Sequence, residues 1–219
     1  GVRKAISRSM CASLTEMAQL TLNASFDATS VMEYRKHLKE NAGILGLGKI
    51  TLNDMVLYAV SRTLLGHPYI NANLIEDTFR LYHHANIGLA VDTDRGLLVP
   101  TLFGADTMTL SQIAEASKDA AERARSGRLS PDEMSGGSFT VTNLGSLGIE
   151  SFTPVINPPQ TAILGVCTIT NRLRADGSVY PAMGLSLTFD HRAVDGAPAA
   201  KFLSELCTNL ENFQLLLAK

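Results

Sequence analysis

The sequence predicts an α/β (α+β) fold in which a mixed β-sheet is flanked by helices. Two observations carry this: segments of strand character and capped or amphipathic helical segments are interleaved along the chain, and they lack the regular strand–helix–strand alternation of doubly wound or barrel architectures. A third concerns domain number. The 219 residues are 45% hydrophobic and contain no repeat, low-complexity tract or Pro/Ser-rich linker, so residues 1–219 read as one domain with one sizeable core.

The first strand is expected over 21–27 (TLNASFD) from its alternation. Over 29–42, Val31, Met32, Tyr34 and Leu38 alternate with Glu33, Arg35, Lys36, Lys39 and Glu40, the pattern of an amphipathic helix ending near Gly43. Thr51-Leu-Asn-Asp54 opens the apolar run MVLYAVSRTLL, which stops at Gly66 and Pro68 and reads as a capped, largely buried helix. Strands follow at 85–92 and 97–103. Thr109-Leu-Ser-Gln112 starts a helix to about Ser126, and Ser130-Pro-Asp-Glu133 combines an N-cap, a first-turn proline and a glutamate three residues on. Further strands are expected at 138–142, 161–170 and 185–189. A last helix over 197–213 spaces Ala200, Phe202, Leu203, Leu206, Leu210 and Phe213 as a core stripe rather than a cofactor box.

Charge and composition exclude several function classes. With 19 Lys+Arg against 21 Asp+Glu the net charge is −2, which argues against nucleic-acid or anionic-membrane partners that need concentrated cations. No apolar run approaches the ~18–20 residues that span a bilayer. The N-terminal GVRKAISRSM has basic residues but no apolar core, so it is not a signal peptide and reads as the cut edge of a longer protein. Cys11, Cys167 and Cys207 are odd in number and form no CxxC, so each is expected to be a small core hydrophobe in a reducing, intracellular compartment. The five histidines include no HExxH, and adjacent His83 and His84 would face opposite sides of a strand; no metal is expected.

Two stretches carry chemistry. The last strand runs into Asp190-His191-Arg192-Ala-Val-Asp195-Gly196 and then directly into a helix. A histidine at such a turn, with a carboxylate four residues later, can serve as a positioned base. The plainer alternative makes Asp195 the helix N-cap and His191 an ordinary polar residue at a strand end. Upstream, Ser138-Phe-Thr-Val-Thr142-Asn143-Leu-Gly145-Ser-Leu-Gly148 is a short strand entering a glycine-rich turn. A hydroxyl there can donate to a developing oxyanion, unless the segment is only a turn. Neither GxGxxG nor GxSxG occurs, which removes a phosphate cradle and a serine elbow. Ile156-Asn-Pro158-Pro159-Gln160 leads rigidly into a buried strand and has no independent chemical claim.

Taken in order, DHRAVDG, SFTVTNLGSLG and FTPVINPPQTAILGV resemble the catalytic domain of the dihydrolipoamide acyltransferases, the core components of 2-oxo acid dehydrogenase complexes. VRKAISRSM, HPYINANL and IGLAVDTDRGLLVPTL match the same pattern, so the resemblance spans essentially the whole chain. It implies a chloramphenicol-acetyltransferase-like fold whose homotrimers assemble into a larger core. It also implies acyl transfer between coenzyme A and the dihydrolipoyl group of a separate lipoyl domain. His191 then takes the role of general base, Asp195 orders the site, and the Thr142 hydroxyl, where many relatives have serine, stabilises the tetrahedral oxyanion. The resemblance further implies that His191 of one chain meets Thr142 of the next. The 2-oxo acid dehydrogenase and dihydrolipoamide dehydrogenase components would bind through other domains; neither a lipoyl nor a peripheral-subunit-binding domain is recognisable in this chain. Asn-Leu-Gly after Thr142 favours acetyl over succinyl or branched acyl groups. The implied location is the bacterial cytoplasm or the mitochondrial matrix.

The chemistry is self-consistent. A free thiol, with a pKa of about 8.5, is only a few per cent thiolate at pH 7, so a nearby neutral imidazole removes an obstacle. Both substrates are thiols, so direct transfer needs no nucleophilic serine or cysteine. Rival readings are a free-standing antibiotic acetyltransferase of the same fold, a coenzyme-A-binding regulator, and a non-catalytic scaffold, which would be expected to lose His191 or the Thr142 hydroxyl.

Overall fold

The structure, a computed structural model, describes residues 2–46 and 48–218. A six-stranded sheet organises it. In spatial order its strands are β1 (Gln19–Asp27), β10 (Val179–Asp190), β9 (Ala162–Leu173), β8 (Phe139–Asn143), β4 (Ile87–Leu89) and β7 (Thr101–Leu102). β9, β8 and β4 are parallel neighbours and the other pairings are antiparallel, so the sheet is mixed, as the interleaved sequence pattern predicts.

Period-two alternation gives the sheet two unlike faces. Leu164 and Val166 of β9, and Leu185, Leu187 and Phe189 of β10, join the core with Phe202, Leu203 and Leu206 of α5 (Gly196–Glu211). α3 (Leu52–Leu64) is buried at Met55, Leu57 and Leu64 in the same core. The opposite face carries Gln19, Thr21 and Asn23 on β1, Ser186, Thr188 and Asp190 on β10, Gly165 and Cys167 on β9, and Thr140 and Thr142 on β8. That polar face bears the candidate site.

The capping boxes of α3 and α4 (Leu110–Arg125) form as expected. Thr51 Oγ1 accepts from the Asp54 amide while Asp54 Oδ2 accepts from the Thr51 amide, and Thr109 with Gln112 repeats the exchange. The third box is a correction. Ser130 does donate to Glu133 Oε2 (2.9 Å), but only one 3₁₀ turn forms over Asp132–Met134, because Gly136 and Gly137 follow at once and favour leaving the helix. α2 (Thr29–Leu45) overruns Gly43 and stops at Gly46, which takes the left-handed conformation (φ 61°).

The remaining α-helices and β-strands are α1 (Val2–Glu16), β2 (Ala72–Ile75), β3 (Thr78–Leu81), β5 (Val91–Thr93), β6 (Gly96–Leu98) and α6 (Phe213–Leu216). The segments 85–92 and 97–103 each divide in two, β4 then β5 and β6 then β7. Pro100, with no N–H to donate, separates β6 from β7. Cys167 is buried, as expected of a core thiol, whereas Cys11 is exposed on the outer side of α1 and Cys207 is half-buried. Among the described residues no helix is long and apolar enough to cross a membrane.

Candidate active site

His191 follows the last residue of β10, and its backbone is fixed from both sides. Asp190 is fully buried. Its Oδ1 accepts from the Ala18 amide (3.2 Å) and the Arg192 amide (3.0 Å), and its Oδ2 accepts from Arg192 Nη2 (2.7 Å). The His191 amide in turn donates to the Ala18 carbonyl (2.8 Å). The turn is therefore stitched to the junction of α1 and β1, and the hydrogen-bonded Asp190 carboxylate raises the Arg192 pKa further.

The imidazole is half-exposed and packs at 5.7 Å, centroid to centroid, against Phe189. Its Nδ1 lies 3.7 Å from Asp195 Oδ1, within ion-pair range but too long for a hydrogen bond. Asp195 occupies the N-cap position of α5 with extended backbone, yet its side chain makes no capping bond and is 84% exposed. The capping alternative for Asp195 is thus not what the structure adopts; the carboxylate faces the ring.

Thr142 sits near the end of β8, half-buried, with its side chain on the polar face. The turn after it is built from neutral contacts. Asn143 Nδ2 donates to Asn53 Oδ1 at the start of α3 (2.9 Å), and Asn143 Oδ1 accepts from the Gly145 amide (2.9 Å). A Cβ at Gly145 would lie 2.5 Å from the Cys167 carbonyl oxygen, so this turn presses against β9 as no other residue would allow. Burial pushes the Cys167 thiol pKa up. Beside the turn opens a groove of about 890 Å³, with Lys49, Lys118 and Arg125 among its lining residues.

The structure brings His191 and Asp195 together and keeps Thr142 away from them. Thr142 pairs with Gly165, Gly165 with Ser186, and His191 lies five residues beyond Ser186. At ~3.3 Å per residue and ~4.8 Å per strand, roughly 19 Å separates the two Cα atoms within one chain. Between them an irregular segment, 149–158, crosses the polar face. The Phe152 amide points to Ser186 Oγ (3.4 Å), the Ile156 amide donates to Gln19 Oε1 (3.2 Å), and Ser13 Oγ donates to the Ile156 carbonyl (2.7 Å). Sequence reasoning missed Asp190 as the anchor; its signal was the acidic residue immediately before the histidine at a strand end.

A family model described as 2-oxoacid dehydrogenases acyltransferase (catalytic domain) matches residues 1–218. The chain belongs to this family. It is 39% identical over 222 residues to the dihydrolipoyllysine-residue acetyltransferase component of the pyruvate dehydrogenase complex of Bacillus subtilis, covering 99% of this chain and 50% of that protein. It spans about half the length of the curated relatives it matches. Among solved structures it resembles dihydrolipoamide acetyltransferase of Azotobacter vinelandii, studied for the roles of a serine, a histidine and an asparagine in its catalytic mechanism, with a TM-score of 0.92 and 34% identity over 98% of this chain and 90% of that one. It is equally close, at a TM-score of 0.92 and 33% identity over the same shares, to the cubic core of the pyruvate dehydrogenase multienzyme complex. The wider fold is shared with chloramphenicol acetyltransferase, at a TM-score of 0.55 and 16% identity over 94% of this chain and 93% of that one. The acyltransferase family and the chloramphenicol-acetyltransferase-like architecture implied by the sequence motifs both hold.

Proposed function

We propose that this domain transfers an acetyl group between coenzyme A and the dihydrolipoyl group of a separate lipoyl domain. In this reading it does so as a homotrimer within the core of a 2-oxo acid dehydrogenase complex, in the bacterial cytoplasm or the mitochondrial matrix. The observation that carries the reading is the His191 turn: buried Asp190 fixes its backbone, while the ring stays accessible with Asp195 beside it.

His191 takes the proton of the attacking thiol, whose sulfur adds to the thioester carbonyl. Thr142 donates its hydroxyl hydrogen bond to the resulting oxyanion, a contribution of about 3 kcal/mol on the scale of one such donor. Collapse of the tetrahedral adduct restores the C=O, breaks the old C–S bond, and returns the proton from His191 to the departing sulfur. Asp195 steadies the imidazole. The Thr142 hydroxyl and the His191 imidazole parallel the serine and histidine studied in the Azotobacter protein, whereas Asp195 offers a carboxylate and not the amide of the asparagine studied there.

The separation of roughly 19 Å between His191 and Thr142 supports a site completed by a second copy, His191 of one chain facing Thr142 of its neighbour. Co-assembly of His191→Ala chains with Thr142→Val chains tests this, because some interfaces of a mixed trimer then hold both intact residues. Turnover of acetyl-coenzyme A with dihydrolipoamide should reappear in mixed assemblies verified by mass. Turnover no higher than the average of the two parent variants would place the whole site in one chain.

A further inference from the structure

The segment 149–158 lies tightly on the polar face at Gly165. An ideal Cβ at Gly165 would fall 2.6 and 2.8 Å from two atoms of the Phe152 ring, so the ring occupies the space where a side chain of β9 would stand. Gly165 is the register partner of Thr142, and laterally paired residues project to the same face about 4.8 Å apart. The Phe152 ring and the Thr142 hydroxyl are therefore side by side on one surface. Both residues are half-buried, so each turns part of its surface outward.

The backbone that carries the ring is also fixed in place. The Phe152 amide points to Ser186 Oγ (3.4 Å), which itself donates to Asn23 Oδ1 (2.7 Å). Ser186 is fully buried, and the Ile149 carbonyl accepts from the Thr168 amide (2.7 Å), so the segment is held before and at the aromatic residue. The family match and the resemblance assign no function to Phe152.

We propose that Phe152 is a specificity-determining residue that limits the length of the acyl chain, its ring forming the wall beside the carbonyl group held by Thr142. The inference rests on the reading of Thr142 as the oxyanion donor. When the carbonyl oxygen sits at the Thr142 hydroxyl, the alkyl part of the acyl group leaves the same carbon within a few ångströms of the ring. A methyl group fits against the aromatic face. Each further methylene must displace a ring that rests on backbone and cannot retreat, because Gly165 and β9 lie behind it.

The experiment measures kcat/KM for acetyl, propionyl, butyryl and isobutyryl thioesters of dihydrolipoamide with coenzyme A. It compares the wild-type assembly with Phe152→Ala, Phe152→Leu and Thr142→Val assemblies. A methylene in an apolar pocket discriminates by about 10- to 200-fold, so Phe152→Ala should raise the butyryl-to-acetyl ratio by at least ~10-fold and Phe152→Leu by less. The ratio is the decisive readout, since a purely structural defect would lower all four rates together. If Phe152→Ala does not fold, Phe152→Leu keeps an apolar residue over Gly165 and still reports the ratio. An unchanged ratio in the folded variants, alongside a uniform loss in Thr142→Val, overturns the role of Phe152 alone. Full activity in Thr142→Val, or no acyl transfer by the wild type, overturns the reading beneath it and this inference with it.

Discussion

At the His191 end of the sheet the backbone is anchored by charge: a fully buried carboxylate, Asp190, accepts from the Arg192 guanidinium and from two backbone amides. At the Thr142 end the anchors are neutral: the side-chain amide of Asn143 bridges to Asn53 and to Gly145, and Gly145 packs directly on the backbone of β9. A charged anchor is strong but sensitive to loss of either partner. A close-packed one is sensitive to volume instead. The two halves of the proposed site should therefore fail in different ways.

The largest expected effect is on the residue proposed as the base. His191→Ala should lower turnover by ~10²–10⁴ while leaving the assembled mass unchanged. Near-normal turnover in a correctly assembled variant would remove His191 as the base. Next, Thr142→Val, nearly isosteric but without the donor, should lower turnover by ~10²–10³, whereas Thr142→Ser should keep most of it. Equal rates for the two variants would show that the hydroxyl does not serve the transition state.

The anchors themselves are expected to separate on stability. Asp190→Asn removes the charge but not the shape and strands Arg192, and should cost about 2–3 kcal/mol, less than the ~3–5 of a fully buried pair because Arg192 is half-exposed. Gly145→Ala should cost about 1–3 kcal/mol through forced displacement of the turn. Thermal unfolding of both variants at 0.05 and 1 M salt checks the contrast. Added salt should narrow the gap between Asp190→Asn and wild type and leave the Gly145→Ala gap unchanged, and equal responses would erase the distinction.

The smallest effect lies outside both regions. The amide of Ser130 and the guanidinium of Arg123 hold the Glu133 pKa down to about 2. A lowered carboxylate contributes stability above its unfolded value near 4.5 and loses it as pH falls towards 2, so the 130–135 turn should loosen across that window. A carboxyl carbon titration by NMR with a midpoint near 4.5 would contradict this.

Much of this was legible because its cause is local. Thr51 with Asp54, and Thr109 with Gln112, cap their helices through atoms three residues apart, and the strand-to-helix turn at His191 is written in seven consecutive residues. What escaped depends on distant parts of the chain or on backbone conformation. The β2–β3 hairpin turns through Glu76 at φ 51°, a left-handed residue where a glycine or asparagine would have announced the turn. The outer ends, 171–173 of β9 and 179–181 of β10, lie beyond the core and show little alternation to read. The anchoring role of Asp190 is only half legible, because one of its two partner amides, Arg192, is local while the other belongs to Ala18, 172 positions away.

That last link has a mechanical meaning. Ala18 both donates to Asp190 and accepts from His191, so the first helix is tied to the turn that presents the imidazole. In a growing polypeptide the two sides of this link emerge 172 residues apart, so the histidine cannot be oriented until both have left the ribosome. Once it is tied, a pull entering through the first helix is transmitted to the histidine backbone itself. The imidazole proposed as the base is thus tethered to the residue that precedes the edge strand β1, and tension there would shift it while the rest of the sheet stays in register.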